Sequence, residues 1–190
     1  MPEFPVHTAD TAPEAARGAL ANAQQAFGFV PNLIATMAAS PALAEGYLAL
    51  SEIYAKSDFS PVERQVVLLA ASFENECTYC MAAHSVVAQM SGMDETVLQA
   101  LRDGAPLADA KLEALKRFTV AVVTGRGWVD AAGVQAFLDA GYGERHVLEV
   151  VLGVAVKTMS NYTNHLAGTP VDGAFQATAW THPDKRQAAE

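Results

Sequence analysis

Ser60-Pro-Val-Glu63-Arg-Gln-Val-Val-Leu-Leu-Ala-Ala-Ser-Phe73-Glu-Asn75-Glu-Cys77-Thr-Tyr-Cys80-Met-Ala-Ala-His84 decides how this chain folds. It reads as two helices in succession. Ser60 and Glu63 form a capping box, and Pro61 takes the first helical position, where its missing N–H is not needed. The apolar residues Val66, Val67, Leu68, Leu69 and Phe73 fill the first helix. Asn75 reads as the cap of the second. Cys77, Cys80 and His84 follow at steps of three and four, which return to one helix face. The chain has no other cysteine among its 190 residues. Two thiols able to close into a disulfide, with a base beside them, point to redox chemistry.

The helical reading extends in both directions. Alternating strand-like runs are missing and alanine is abundant, so the expected fold class is all-α with no sheet. Pro13 to Phe27 is a candidate helix stopped near Gly28. Phe29-Val-Pro31-Asn32 is a turn into a short helical piece. Ser40-Pro41 opens a helix to about Ala55. After the cysteine helix, which ends near Gly92, further helices run from Asp94 to Arg102, Asp109 to Thr124, Asp130 to Ala140 and Glu144 to Leu166. Residues 1–12 read as an N-terminal extension and 13–175 as a single domain. Residues 176–190 read as an irregular tail whose last residues are mobile.

Composition narrows the function. Hydrophobic residues make up 51% and charged residues 17%, which is a globular composition and not a disordered one. The formal net charge of −9 argues against nucleic acid, whose phosphates need a basic face. The stretch from Val147 to Val156 is too short to span a bilayer and contains Glu149, so no membrane partner is expected. The opening MPEFPVHTAD has neither a basic nor an apolar signal region, and a cytoplasmic location is expected. In that compartment a close cysteine pair is more often catalytic or metal-binding than a structural staple.

A thiol attacks as its thiolate, and a cysteine with pKa about 8.5 is only a few per cent ionised at pH 7. Two features can raise that fraction. His84, one turn after Cys80, can accept its proton and, as imidazolium, stabilise the thiolate. A helix starting at Asn75 puts Cys77 in the first turn, where free N–H groups favour an anion. The first feature makes Cys80 the attacking sulfur and Cys77 the resolving one; the second favours the reverse. Attack on a peroxide gives a sulfenic acid, and the neighbouring thiol condenses with it to a disulfide that an outside dithiol reopens.

Other readings compete. A structural zinc site needs four ligands, and Cys77, Cys80 and His84 would have to recruit His165. Haem attachment needs a histidine where Met81 stands. A thioredoxin-type pair would sit in a βαβ unit, which is missing. An inert pair of core cysteines is a further possibility. No cofactor and no metal is expected. Asn161, Asn164 and His165 sit on an otherwise apolar helix and can line the redox pocket or form a packing network. Tyr162 reads as core, and His7, His146 and His182 as surface residues.

The segment from Ser60 to Ser85 resembles the carboxymuconolactone decarboxylase superfamily, most closely the AhpD-like alkylhydroperoxidase branch with its C-x-x-C-x-x-x-H-[ST] signature. Gly28-Phe-Val-Pro31-Asn32 with Ser40-Pro41, and Ser160-Asn161-Tyr-Thr-Asn164-His165, are similar to the first and last segments of its peroxidase-related members. The resemblance implies an all-α homo-oligomer that reduces hydroperoxides with Cys77 and Cys80, with His84 as proton relay. It implies a dithiol reductant, either a lipoyl-bearing or a thioredoxin-like protein. The family pattern has a glutamate twelve residues before the first cysteine, where this chain has Gln65. Glutamine can hydrogen-bond His84 but carries no charge. Glu74 is the nearby carboxylate most able to substitute. Tyr79 stands where the AhpD type has histidine. A carboxymuconolactone-type decarboxylase and a non-enzymatic thiol sensor are the alternative functions.

Overall fold

The computed structural model describes residues 4–187, and among these the regular structure is entirely helical. A 3-10 turn, Glu14–Ala16, leads into α1 (Arg17–Phe27), α2 (Asn32–Met37) and α3 (Pro41–Tyr54). Then come α4 (Pro61–Glu74), α5 (Thr78–Met90), α6 (Glu95–Asp103), α7 (Ala110–Thr124), α8 (Ala131–Asp139) and α9 (Glu144–Ala167). A second 3-10 helix, Gly173–Thr178, and α10 (Pro183–Gln187) complete the described chain. None of these helices is long and apolar enough to cross a membrane.

Helix α4 lies at the centre. It packs against α7, α5, α9 and α6, which is why its residues from Gln65 to Ser72 are all buried. The capping box forms as the sequence predicts: Ser60 Oγ accepts from Glu63 N–H, and Glu63 accepts from Ser60 N–H. Val66, Val67 and Leu69 of α4 meet Leu98, Leu115, Phe118 and Val150 in the main core. Phe118, Phe137 and Tyr142 form a stack beside it, with centroids 4.4 and 4.5 Å apart. A smaller cluster gathers Cys77, Tyr79 and Cys80 with Leu33, Met37 and Ala44 of α2 and α3.

Two expectations are corrected. The segment after Val171 is ordered against the body: Trp180 is buried, its Nε1–H donates to Arg102 O at 2.7 Å, and its ring meets Phe73. Arg102 in turn donates to Thr178 O and Ala179 O. The expected mobile end at 188–190 lies outside the described residues. Tyr162 is about half exposed, because it sits on the outer face of α9 and not the inner one.

Candidate active site

The turn between α4 and α5 sets the cysteine geometry. Asn75 closes α4 at its C-terminus and does not cap α5. Glu76 then takes a left-handed conformation, φ 52°, which reverses the chain sharply. Cys77 N–H returns to Ser72 O at 2.9 Å, and Cys77 itself becomes the extended N-cap residue of α5. The helix thus starts two residues later than the Asn75 cap implied. Cys80, not Cys77, falls in the first turn, where unpaired N–H groups favour negative charge.

Both sulfurs are reduced and buried, each residue only 1% exposed. Asn164 of α9 aims one amide at both: Nδ2–H donates to Cys80 Sγ at 3.3 Å and lies 3.7 Å from Cys77 Sγ. The neighbouring Asn161 braces the turn, accepting from Asn75 Nδ2 at 2.9 Å. The two thiols differ in acidity. Burial pushes Cys80 up, but the hydrogen bond from Cys77 and the nearby Lys157 ammonium outweigh it and hold Cys80 well below the usual thiol range. The same hydrogen bond to Cys80, with burial, pushes Cys77 far up. The pair therefore ionises at Cys80 in preference to Cys77.

His84 lies one turn beyond Cys80, half-buried. Its Nδ1–H donates to Gln65 Oε1 at 2.9 Å, because the amide oxygen can only accept. That leaves Nε2 as the free acceptor. Among the described residues no hydrogen bond joins His84 to either sulfur. Burial, reinforced by Lys157, holds the imidazole well below its usual range. The imidazolium form expected beside Cys80 is therefore not the form this site holds, since no carboxylate stands at Gln65 to support it.

Cys77, Cys80, His84 and Gln65 thus come together on α4 and α5. Glu74 and His165 do not join them. Glu74 ends α4 on the side of His182 and Lys116, and burial pushes its carboxyl above the usual range. His165 is exposed, one residue past Asn164 and so rotated to the outer face of α9. The two line a shallow cavity of about 320 Å³ with Asn75, Glu76 and Lys185. His165 is therefore no fourth ligand beside the cysteines, and no three His, Cys, Asp or Glu side chains among the described residues converge to hold a metal ion. Tyr79, between the cysteines, turns away from them: its hydroxyl donates to Asp172 at 2.5 Å and accepts from Leu33 N–H at 3.2 Å.

Lys157 is the residue that sequence reading missed. It is fully buried on α9, on the face that also carries Asn161 and Asn164. The signal was present: a lone cation inside the run Val150-Val-Leu-Gly-Val-Ala-Val-Lys157.

An entirely helical frame presenting one buried, reduced dithiol at a helix start defines a helical dithiol protein. Residues 41–119 match the model of the carboxymuconolactone decarboxylase family. No curated protein matches the chain. Among solved structures, the alkylhydroperoxidase AhpD core of an uncharacterized peroxidase-related protein from Ralstonia eutropha JMP134 superposes with TM-score 0.80 at 22% identity, over 91% of this chain and 93% of that one. A peroxidase-related protein from Silicibacter sp. TM1040 gives 0.77 at 18% identity, covering 92% of each chain. A Cys→Ala variant of the debrominase Bmp8, in complex with 2,3,4-tribromopyrrole, gives 0.76 at 19% identity, over 94% of this chain and 95% of that one. At these identities the likeness is one of fold.

Proposed function

We propose that this chain is a thiol-dependent hydroperoxide reductase of the AhpD-like type. The observation that carries the reading is a buried pair of free cysteines at the start of α5, with the single Asn164 amide reaching both sulfurs; the hydrogen bond from Cys77 and the Lys157 ammonium favour ionisation at Cys80. Cys80 Sγ attacks the outer oxygen of a hydroperoxide. The O–O bond breaks, a sulfenic acid forms, and the alkoxide leaves as an alcohol after taking a proton. Cys77 Sγ displaces the sulfenic oxygen as water and closes the disulfide. An outside dithiol, lipoyl-bearing or thioredoxin-like, reopens it by exchange and is itself oxidised. His84, with Nε2 free, can pass protons between water and the sulfurs. Gln65 holds its ring.

A free buried dithiol fits a reducing cytoplasm. Leu148, Val151, Tyr162 and Leu166 form an exposed apolar stripe on α9, the face on which a second copy of the chain would pack to give the homo-oligomer that the family resemblance implies.

The test is peroxide-dependent turnover with several dithiol donors, with 2,3,4-tribromopyrrole as the comparison substrate. The parent should consume peroxide catalytically and Cys80→Ser should not. Cys77→Ser should perform one attack per chain and then stall or over-oxidise. Disulfide formation without turnover on any donor would reduce the protein to a thiol sensor, and decarboxylation surviving loss of both cysteines would favour the lactone reading.

A further inference from the structure

A lysine with no exposed surface is rare, and rarer still without a partner. Lys157 is 0% exposed, and its Nζ has no hydrogen-bond partner among the described residues. One turn further along α9 is Asn161, and Asn164, on the same face, touches both sulfurs. The side chain is thus aimed into the dithiol site from the helix that closes it. The acidic groups whose charge bears on it are Cys80, Tyr47 of α3 and Cys77. Burial keeps Tyr47 a phenol, and the bond to Cys80 keeps Cys77 a thiol. From α5, His84 also faces it and is neutral. From α4, the neutral Gln65 stands behind His84. Helix α2 carries no titratable side chain, and the half-buried charges of α7, Glu113 and Lys116, pair with each other. Asp172, on the segment covering α5, is committed to Tyr79 and to Asn32 N–H. Cys80 is the counter-charge that remains.

We propose that Lys157 is the acid of this site: its ammonium balances the Cys80 thiolate and then protonates the alkoxide that leaves the attacked peroxide. The assignment rests on the hydroperoxide reading above. The cycle balances. Thiolate, ammonium, the Cys77 thiol and ROOH become disulfide, neutral amine, ROH and water. The two-electron oxidation of the sulfurs matches reduction of the O–O bond. A reducing dithiol then gives its two hydrogens back, one to Cys77 and one to Lys157, and restores the ion pair. The neutral His84 and Gln65 have no proton to spare for the alkoxide, so the lysine is its local source.

The experiment compares the parent with Lys157→Met and Lys157→Arg, with folding checked by near-ultraviolet circular dichroism. Without peroxide, the pH dependence of Cys80 alkylation by iodoacetamide, followed by peptide mass spectrometry, reports the thiolate. Lys157→Met should raise the apparent thiol pKa by at least a unit, slowing alkylation at pH 6 about tenfold or more. It should also shift the equilibrium with glutathione toward the disulfide, because the thiolate form has lost its counter-ion. Arginine keeps the charge but holds its proton. Lys157→Arg should restore alkylation while single-turnover peroxide attack stays about tenfold or more below the parent. An unchanged alkylation profile in Lys157→Met overturns the counter-ion role. Full peroxide rate in Lys157→Arg overturns the proton transfer. A parent that alkylates as a thiolate yet consumes no peroxide sinks the hydroperoxide reading and leaves the ion pair standing. Should both variants misfold, the ultraviolet thiolate absorbance of the folded parent decides, and its absence at pH 7 overturns the proposal.

Discussion

His84 carries a consequence for stability that does not depend on the reaction. Its imidazole is buried enough, and close enough to Lys157, to stay neutral in the fold well below pH 6.5. In the unfolded chain the same ring protonates near pH 6.5. Below that pH the unfolded state binds the extra proton, so stability falls as pH falls. The limiting slope for one proton is about 1.4 kcal/mol per pH unit. The urea midpoint of the parent should therefore drop between pH 7 and pH 5 more steeply than that of His84→Gln. Parallel curves would show that His84 protonates inside the fold. That Cys77, Cys80 and His84 share one face was legible because steps of three and four fix the face of a single helix; Gln65 came only from the family pattern, since it stands on a different helix. Lys157 was not legible, and Asn164 was legible only as one of three α9 residues able to line the pocket, since their approach to the sulfurs depends on how α9 packs across some eighty residues of chain. His165 shows how fine that dependence is. One residue from Asn164, it is turned by roughly 100° and meets solvent.

At the scale of the element, α9 reaches the site because Gly153 lets it come close. A Cβ at Gly153 would stand 2.8 Å from Val67 Cγ1 and 2.9 Å from the Tyr54 ring. Lys157 follows four residues later, about one turn along α9, so displacement here is passed to the ammonium. Gly153→Ala favours the isolated helix by roughly 0.5–1 kcal/mol, yet overpacking costs about 1–3 kcal/mol. The variant should melt a few degrees below the parent, and its Cys80 should alkylate more slowly at pH 6. A higher melting temperature would mean that α9 has room. The start of α4 supplies a second prediction. Burial pushes the Glu63 carboxyl up, but hydrogen bonds from Ser60, Lys111 and Tyr142 outweigh it and hold it at about 2. Its stabilisation is complete above about pH 4.5 and is lost as pH falls toward 2. Acid unfolding of Glu63→Gln should therefore show a weaker pH dependence across that window. The capping box was legible because it is local. The start of α5 was not, because Asn75 is equally suited to end a helix, and the left-handed Glu76 that decides the matter leaves no mark in the residue types.

At the scale of the molecule, access decides what the dithiol can do, because both cysteines are buried and the proposed cycle brings a peroxide and a reductant to them. The segment from Val171 to Trp180 lies over α5. Phe175 meets the Tyr79 ring edge-on, and Thr178 Oγ donates to Ala82 O at 2.8 Å. Asp172 fastens the near end of this strap. Its carboxylate accepts Asn32 N–H at 3.1 and 3.2 Å, where Pro31 offers α2 no side-chain cap, and it also accepts the Tyr79 hydroxyl. Hydrogen bonds to a charged group contribute about 1.5–3 kcal/mol each. Asp172→Asn keeps the shape, removes the charge and gives up part of that contribution. A loss of about 1.4 kcal/mol raises the open population about tenfold. A bulky maleimide should then modify the cysteines about tenfold faster than in the parent. Iodoacetamide should gain less if small molecules also reach Cys80 past the half-buried His84, along the α5 face that ends at the exposed Met90. Equal gains for both reagents would make the strap the common gate for peroxide and reductant, whereas no gain for either would place the route to the sulfurs on the His84 side alone.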